Sequence, residues 1–170
     1  MKSIQQTYTI AASPAEVWRA LTDPVTIQRW SDASAKFVPQ VGTDYSLWDG
    51  SIVGKIVEVV PHKKLAQTWK PDDWTIENSV VTFTLTPTDD GTLVELLHDN
   101  VEEFDFEGTT EGWDLYYLGA IKRMFAAKPR NTKPRNTKAT KKAKAAKGKV
   151  AAKKKVAAKK SAKKTTKKKK

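Results

Sequence analysis

The chain opens with residues of alternating character. Ile4, Gln6, Tyr8 and Ile10 fall on one side and Gln5, Thr7 and Thr9 on the other, the period of two of a half-buried strand. The period then changes. Ser13 is a good N-cap, Pro14 suits the first helical position, and Glu16 stands where a capping box places its carboxylate. Pro14, Val17, Trp18 and Leu21 recur at i, i+3, i+4 and i+7, which is one helical face. Asp23-Pro24 ends that helix and starts a second, short one over residues 25–30, because Asp caps and Pro again fits the first turn.

From residue 35 to residue 98 the signals are strands and tight turns. Tyr45 and Leu47 alternate before Asp49-Gly50, a strong hairpin pair. Residues 51–60 form a long β-branched run closed by Pro61. Residues 64–70 include Leu65 and Trp69. Val81, Phe83 and Leu85 alternate, Asp90-Gly91 makes the next turn, and Val94, Leu96 and His98 share a face. The succession predicts an antiparallel meander. A longer helix follows over roughly 110–127, with Trp113, Tyr116/Tyr117, Ala120/Ile121 and Met124 at helical spacing, and Pro129 blocks its continuation. The expected fold is α+β. A curved antiparallel sheet of six to seven strands wraps around a long C-terminal helix, with two short helices after the first strand, and all apolar faces are buried in two layers.

Charge divides the chain where the apolar pattern stops. The 170 residues carry a net charge of +12, but all 19 acids and every aromatic residue lie before residue 128. Residues 128–170 hold 21 Lys and Arg and no acid, so residues 1–127 predict one anionic domain and 128–170 a separate basic tail. There is no cysteine, which excludes a disulfide framework, a thiolate metal site and a cysteine nucleophile. No apolar run approaches the roughly 18 residues that cross a bilayer, and the first ten residues do not read as a signal peptide. A cytoplasmic, reducing compartment is the expectation, with no membrane partner.

The segments "SPAEVWRALTDPVTIQRW" (13–30), "VGTDYSLWDGSIVGKIVEVVPHKKLAQTW" (41–69), "VVTFTLTPTDDGTLVELLH" (80–98) and "GWDLYYLGAIKRM" (112–124) resemble the START/polyketide-cyclase-like superfamily with the helix-grip fold. Within it they look most like the heat-shock-chaperone ATPase activator-like branch. The resemblance covers most of residues 1–127 and none of the tail. It implies a ligand cavity between the sheet and the long helix. Carried onto this sequence, the walls of that cavity include Trp30, Tyr45, Leu47, Trp69, Phe83, His98, Trp113 and Tyr117. The same aromatics can equally fill a core. The superfamily hosts ligand carriers, cyclases and chaperone cofactors on one scaffold, so the resemblance leaves activity open.

Catalytic motifs are missing. No Ser-His-Asp order, glycine-rich phosphate loop or HExxH pattern appears, and two histidines do not make a multi-histidine metal site. His98 on an inward strand face reads either as a general acid or base or as a hydrogen-bonded core histidine. His62, after Pro61, reads as surface. The reading leans against an enzyme and names no catalytic residue, metal or cofactor. Asp72-Asp73, Asp89-Asp90 and Glu102-Glu103 sit in predicted turns. Asp99, Glu102, Glu103, Asp105, Glu107, Glu111 and Asp114 form a run without a base, which reads as a solvated helix entry or as a docking surface for the chain's own tail.

The tail opens with a direct repeat, KPRNT at 128–132 and again at 133–137, and continues in Lys and Ala. It cannot bury enough apolar area to offset its ordering entropy, so it predicts disorder. In composition it resembles linker-histone tails. The expected nucleic-acid contacts are Lys128, Arg130, Lys133, Arg135, Lys141, Lys142, Lys153, Lys154, Lys155, Lys159, Lys160, Lys163, Lys164, Lys167, Lys168, Lys169 and Lys170. Lys outnumbers Arg and no aromatic is interleaved, so phosphates are attracted without base reading or stacking. The expected function is a small-ligand or partner-binding module tethered to nucleic acid at the nucleoid. The alternatives are a cyclase- or hydrolase-like enzyme and a chaperone-ATPase cofactor, with a small apolar ligand or a chaperone as partner.

Overall fold

The computed structural model describes residues 2–126. The expected tail, with all of its expected nucleic-acid contacts, lies outside the described residues. The strands are β1 (Lys2–Ile10), β2 (Asp44–Leu47), β3 (Ile52–Val60), β4 (Lys64–Thr68), β5 (Lys70–Pro71), β6 (Val80–Thr88) and β7 (Gly91–Val101). They form one curved antiparallel sheet in the order β1-β7-β6-β4-β3-β2, with the short β5 also on β3. The meander is as expected, and β1 closes it by pairing with β7, Tyr8 opposite Val94 and Ile10 opposite Thr92.

Two helices follow β1: α1 (Pro14–Thr22) and α2 (Pro24–Ser31). The capping box forms as the sequence implies. Ser13 Oγ accepts from Glu16 N, and the Glu16 carboxylate accepts from Ser13 N at 3.0 Å. Asp23 closes α1 and caps α2, its Oδ2 accepting from Thr26 N at 3.0 Å. Hydrogen bonding to Thr26 holds the Asp23 carboxyl below the usual carboxylate range.

The concave face of the sheet is apolar through strict alternation. Val81, Phe83 and Leu85 of β6 and Val94, Leu96 and His98 of β7 all point inward and are buried. After His98 the alternation breaks. Asn100 takes a positive φ of 58°, which Asn tolerates better than most residues, and Val101 is turned back into the core. The register of β1 on β7 shifts at the same place.

The terminal helix differs from the expected single helix. It begins earlier, as α3 (Phe106–Gly112), passes through a π-helical turn (Trp113–Tyr117), and ends as α4 (Leu118–Ala126). The extra residue in the π turn puts Trp113, Tyr117, Leu118, Ile121 and Phe125 on the buried face and turns Tyr116 outward. Gly119 makes this geometry possible, because a Cβ there would come within 1.6 Å of the Asp114 carbonyl oxygen. Arg123 reaches back to the carbonyls of Asp114 and Leu115 that the turn exposes. Gln6 fastens the helix to the sheet, its Nε2 donating to Thr110 O at 2.9 Å.

Candidate aromatic groove

A groove of about 500 Å³ opens between the π turn and the edge of the sheet. One wall is Trp48, Ser51, Ile52, Trp69 and Pro71; the other is Asp105, Thr109, Trp113, Tyr116 and Tyr117, with Gly108 and Gly112 between them. The two glycines are four residues apart and so share a helix face. Glycine inside a helix costs up to about 1 kcal/mol relative to alanine. At Gly112 that cost leaves free space, because an added Cβ would meet nothing within 4 Å.

The rings around the groove pack on one another. Trp69 lies 4.7 Å from Trp113, and Trp113 4.9 Å from Tyr117, centroid to centroid. Trp48 sets its edge against both Tyr117 and Trp69. It also borders a second groove that contains Trp30, Tyr116 and Arg123. Trp48, Asp49 and Gly50 take positive φ angles of 47°, 58° and 102° in succession. Positive φ is uncommon for a bulky residue and is a form of backbone strain that gathers at functional sites.

The eight residues expected to line one cavity separate into four groups. Trp69, Trp113 and Tyr117 form the groove. Trp30 borders the second groove, and Tyr45 a third on the β2–β3 edge. Leu47, Phe83 and His98 are buried in the core beneath them and border none of these three grooves. Sequence reasoning did not single out Trp48, Ile52, Pro71, Gly108 or Gly112, and it gave Tyr116 only as part of the helical spacing. The Gly108/Gly112 pair inside a helical segment was the one available signal.

His98 is fully buried among Trp69, Trp74 and Trp113, and Trp74 is stacked on its ring. The hydrogen bonds assign its tautomer. Trp113 Nε1–H donates to Nδ1 at 3.3 Å, so Nε2–H donates to Ser79 Oγ at 2.8 Å, and Ser79 donates onward to Asp99 O at 3.2 Å. Burial pushes the His98 pKa down to about 3. Both ring nitrogens are committed inside a solid core, which argues against a proton-transfer role and for the core-histidine alternative. His62 is exposed, as expected.

The acidic run is less idle than a solvated helix entry. Glu102 Oε1 accepts from Thr75 N, Thr75 Oγ1 and Ile76 N, and these bonds lower its pKa. Asp105 Oδ2 accepts from Trp74 Nε1 and Thr109 Oγ1, both at 2.9 Å. Asp99 accepts from Ser3, and Glu103 pairs with Lys2 at 3.5 Å. The basic partner expected for this run lies outside the described residues. Among the described residues, no cluster of His, Cys, Asp and Glu could hold a metal, and no helix is long and apolar enough to cross a membrane.

A curved sheet closed over a terminal helix, with an open aromatic groove between them, defines a helix-grip protein of the START-like class. Within that class the chain belongs to the family described as Activator of Hsp90 ATPase homolog 1-like protein, whose model matches residues 11–126. It is 30% identical over 119 residues to the mouse (Mus musculus) "Activator of 90 kDa heat shock protein ATPase homolog 1", a match covering 69% of this chain and 35% of that protein. The chain thus spans about a third of the length of the curated relatives it matches. Among solved structures, an HSP90 activator from Plasmodium falciparum is 26% identical with a TM-score of 0.68, covering 74% of this chain and 97% of that one. CalU16 from Micromonospora echinospora is 31% identical with a TM-score of 0.60, covering 74% of each chain.

Proposed function

We propose that the protein is a binding module whose aromatic groove takes a small ring-bearing apolar molecule and whose basic segment, 128–170, tethers it to nucleic acid. The observation that carries the first half is the groove itself. Its volume of about 500 Å³ lies within the usual 300–1,000 Å³ range of ligand sites. Rings make up much of its walls, and Gly112 leaves open space beside them. Blocking it tests the reading. Gly112→Leu places a side chain in free space, so it should abolish ligand retention by the full-length protein in native mass spectrometry while the fold survives. Equal retention by both proteins would refute the groove as the site.

The tether is supported by 21 basic residues without a single acid. Each phosphate neutralised releases condensed counterions, so a third of these charges engaged gives a log–log salt slope of about −6 on duplex DNA. On this reading the protein works in the cytoplasm, at the nucleoid. Deleting 128–170 should remove salt-sensitive retention on plasmid DNA; retention unchanged by the deletion would dismiss the tether.

A second reading is favoured by the family. Relatives are activators of a heat-shock ATPase, and a chaperone partner for this chain is consistent with that. On this reading the full-length protein raises the ATPase rate of its host's 90 kDa chaperone, and deleting 128–170 leaves that effect intact. An unchanged ATPase rate with no pull-down of the chaperone would set this reading aside.

A further inference from the structure

The core behind the groove contains polar groups with no partner among the described residues. Gln67 on β4 is fully buried, and neither its Nε2 nor its Oε1 is hydrogen-bonded. Tyr117 is 1% exposed, and its hydroxyl is also unpartnered. Tyr45 stands beside both. Burial, then the neighbouring Tyr117 hydroxyl, pushes its pKa well above the ordinary range, and Gln67 opposes that rise. The Gln67 amide stands close enough to act on the Tyr45 hydroxyl but makes no hydrogen bond of ordinary geometry to it, and Tyr45 donates its proton to Thr68 O at 2.6 Å. Polar side chains from β2, β4 and the π turn therefore converge at one place, and two of them have nothing to bond.

Such groups are expensive. A buried amide or hydroxyl without a hydrogen bond destabilises the fold, and native cores contain few of them. Leu at 67 and Phe at 117 would fill much the same space without that penalty. The ring that carries the orphaned hydroxyl is also a wall of the groove, and the neighbouring wall, Trp48, rides on the strained turn. Gln67 precedes the groove wall Trp69 by two residues, and both are buried.

We propose that Gln67 and Tyr117 are the polar floor of the groove, and that its ligand is an uncharged flat ring system with a hydrogen-bond donor beside an acceptor on one edge, as in a lactam. This rests on the ligand-binding reading above and specifies its chemistry. A primary amide offers one donor and one acceptor side by side, so a lactam edge pairs with Gln67 twice. The Tyr117 hydroxyl, donor or acceptor, completes the set. The rings of Trp69 and Trp113 supply flat apolar faces. A charge of either sign is disfavoured, because the floor is neutral and desolvated. Among the described residues no Lys, Arg or His borders the groove, and the one carboxylate there, Asp105, already accepts from Trp74 and Thr109.

The test uses four flat probes on the full-length protein by calorimetry: 2-quinolone, naphthalene, 2-naphthoate and N-methylquinolinium. The expected order has 2-quinolone tightest, about tenfold over naphthalene, since each hydrogen bond made to an orphaned group is worth several-fold in affinity. Both charged probes bind more weakly still. Gln67→Leu brings the ratio of 2-quinolone to naphthalene to about one, and Tyr117→Phe reduces it. Both variants melt at or above the parent's temperature, so the lost preference is not misfolding. Naphthalene binding as tightly as 2-quinolone, or a ratio untouched by Gln67→Leu and Tyr117→Phe, overturns the polar floor and leaves the ligand-binding reading standing. N-methylquinolinium binding tightest overturns the neutral class in favour of cation recognition by the rings. Failure of every probe to bind removes the ligand-binding reading and the floor together.

Discussion

Two buried polar clusters sit on the same aromatic core, and they are finished differently. Around His98 every polar group visible in the chain has a partner, from the Trp113 indole through the imidazole and Ser79 to the Asp99 carbonyl. Around Gln67 and Tyr117 three atoms have none among the described residues. Trp113 borders both clusters: its indole N–H serves His98, and its ring packs on Tyr117. A satisfied network rigidifies a core, whereas a partly satisfied one weakens it and calls for an explanation. On our proposal the contrast separates a structural cluster from a binding site, and it falls on the core-histidine side of the two readings that the sequence left open for His98.

The comparison can be broken most directly by truncation. His98→Ala leaves a cavity and orphans the Trp113 indole, so it should cost about 3 kcal/mol in chemical denaturation. Gln67→Leu at the other cluster should cost nothing. Equal losses at both sites would erase the distinction.

Protonation is the next largest effect. His98 has a pKa of about 3 in the folded protein, below the roughly 6.5 of an unfolded histidine. Below pH 6.5 the unfolded chain therefore binds a proton that the native one does not, so stability is complete above that pH and falls as the pH drops toward 3. The loss is about 2 kcal/mol by pH 5. Urea midpoints across this window should show it in the parent and not in His98→Gln. A flat profile in the parent would mean that the imidazole is not held neutral by the core.

Tyr117→Phe is a smaller change of opposite sign. It removes an unpaired buried hydroxyl and should raise stability by about 1 kcal/mol, read as a rise in thermal midpoint. A drop of that size would place the hydroxyl in a hydrogen bond and remove it from the floor. Gly112→Leu should shift stability least of all, within about 1 kcal/mol, because the added side chain enters open space and glycine is a poor helix former. Its effect belongs to ligand binding.

The fold was legible where local chemistry and tertiary packing agree. Ser13 with Glu16, Asp23 with Pro24 and the alternation along β6 and β7 each state one structure, and each forms. The terminal helix was harder to read. Its start is disguised by Gly108, Gly112 and a run of acids, and the π turn adds a residue that periodicity cannot count. Gly119 and Arg123 carry that turn, yet in sequence they look like ordinary small and basic positions. The site was half legible. Trp69, Trp113 and Tyr117 were implied by the family resemblance, placed by motif position together with strand and helix phase. Trp48 was hidden because it precedes Asp49-Gly50 and reads as the shoulder of a hairpin. Gln67 alternates with buried Leu65 and Trp69, where a polar residue reads as an interruption of the apolar face. Only coordinates show that its amide is unpaired.

The most direct test of the polar floor is the side-chain NH2 signal of Gln67 in an NMR titration of the full-length protein with 2-quinolone. The account predicts that this signal moves and exchanges more slowly with solvent as the probe saturates, and that Gly112→Leu abolishes the change. A Gln67 signal that stays fixed while the exposed ring of Tyr116 at the groove's rim responds would place the probe on the surface and contradict it.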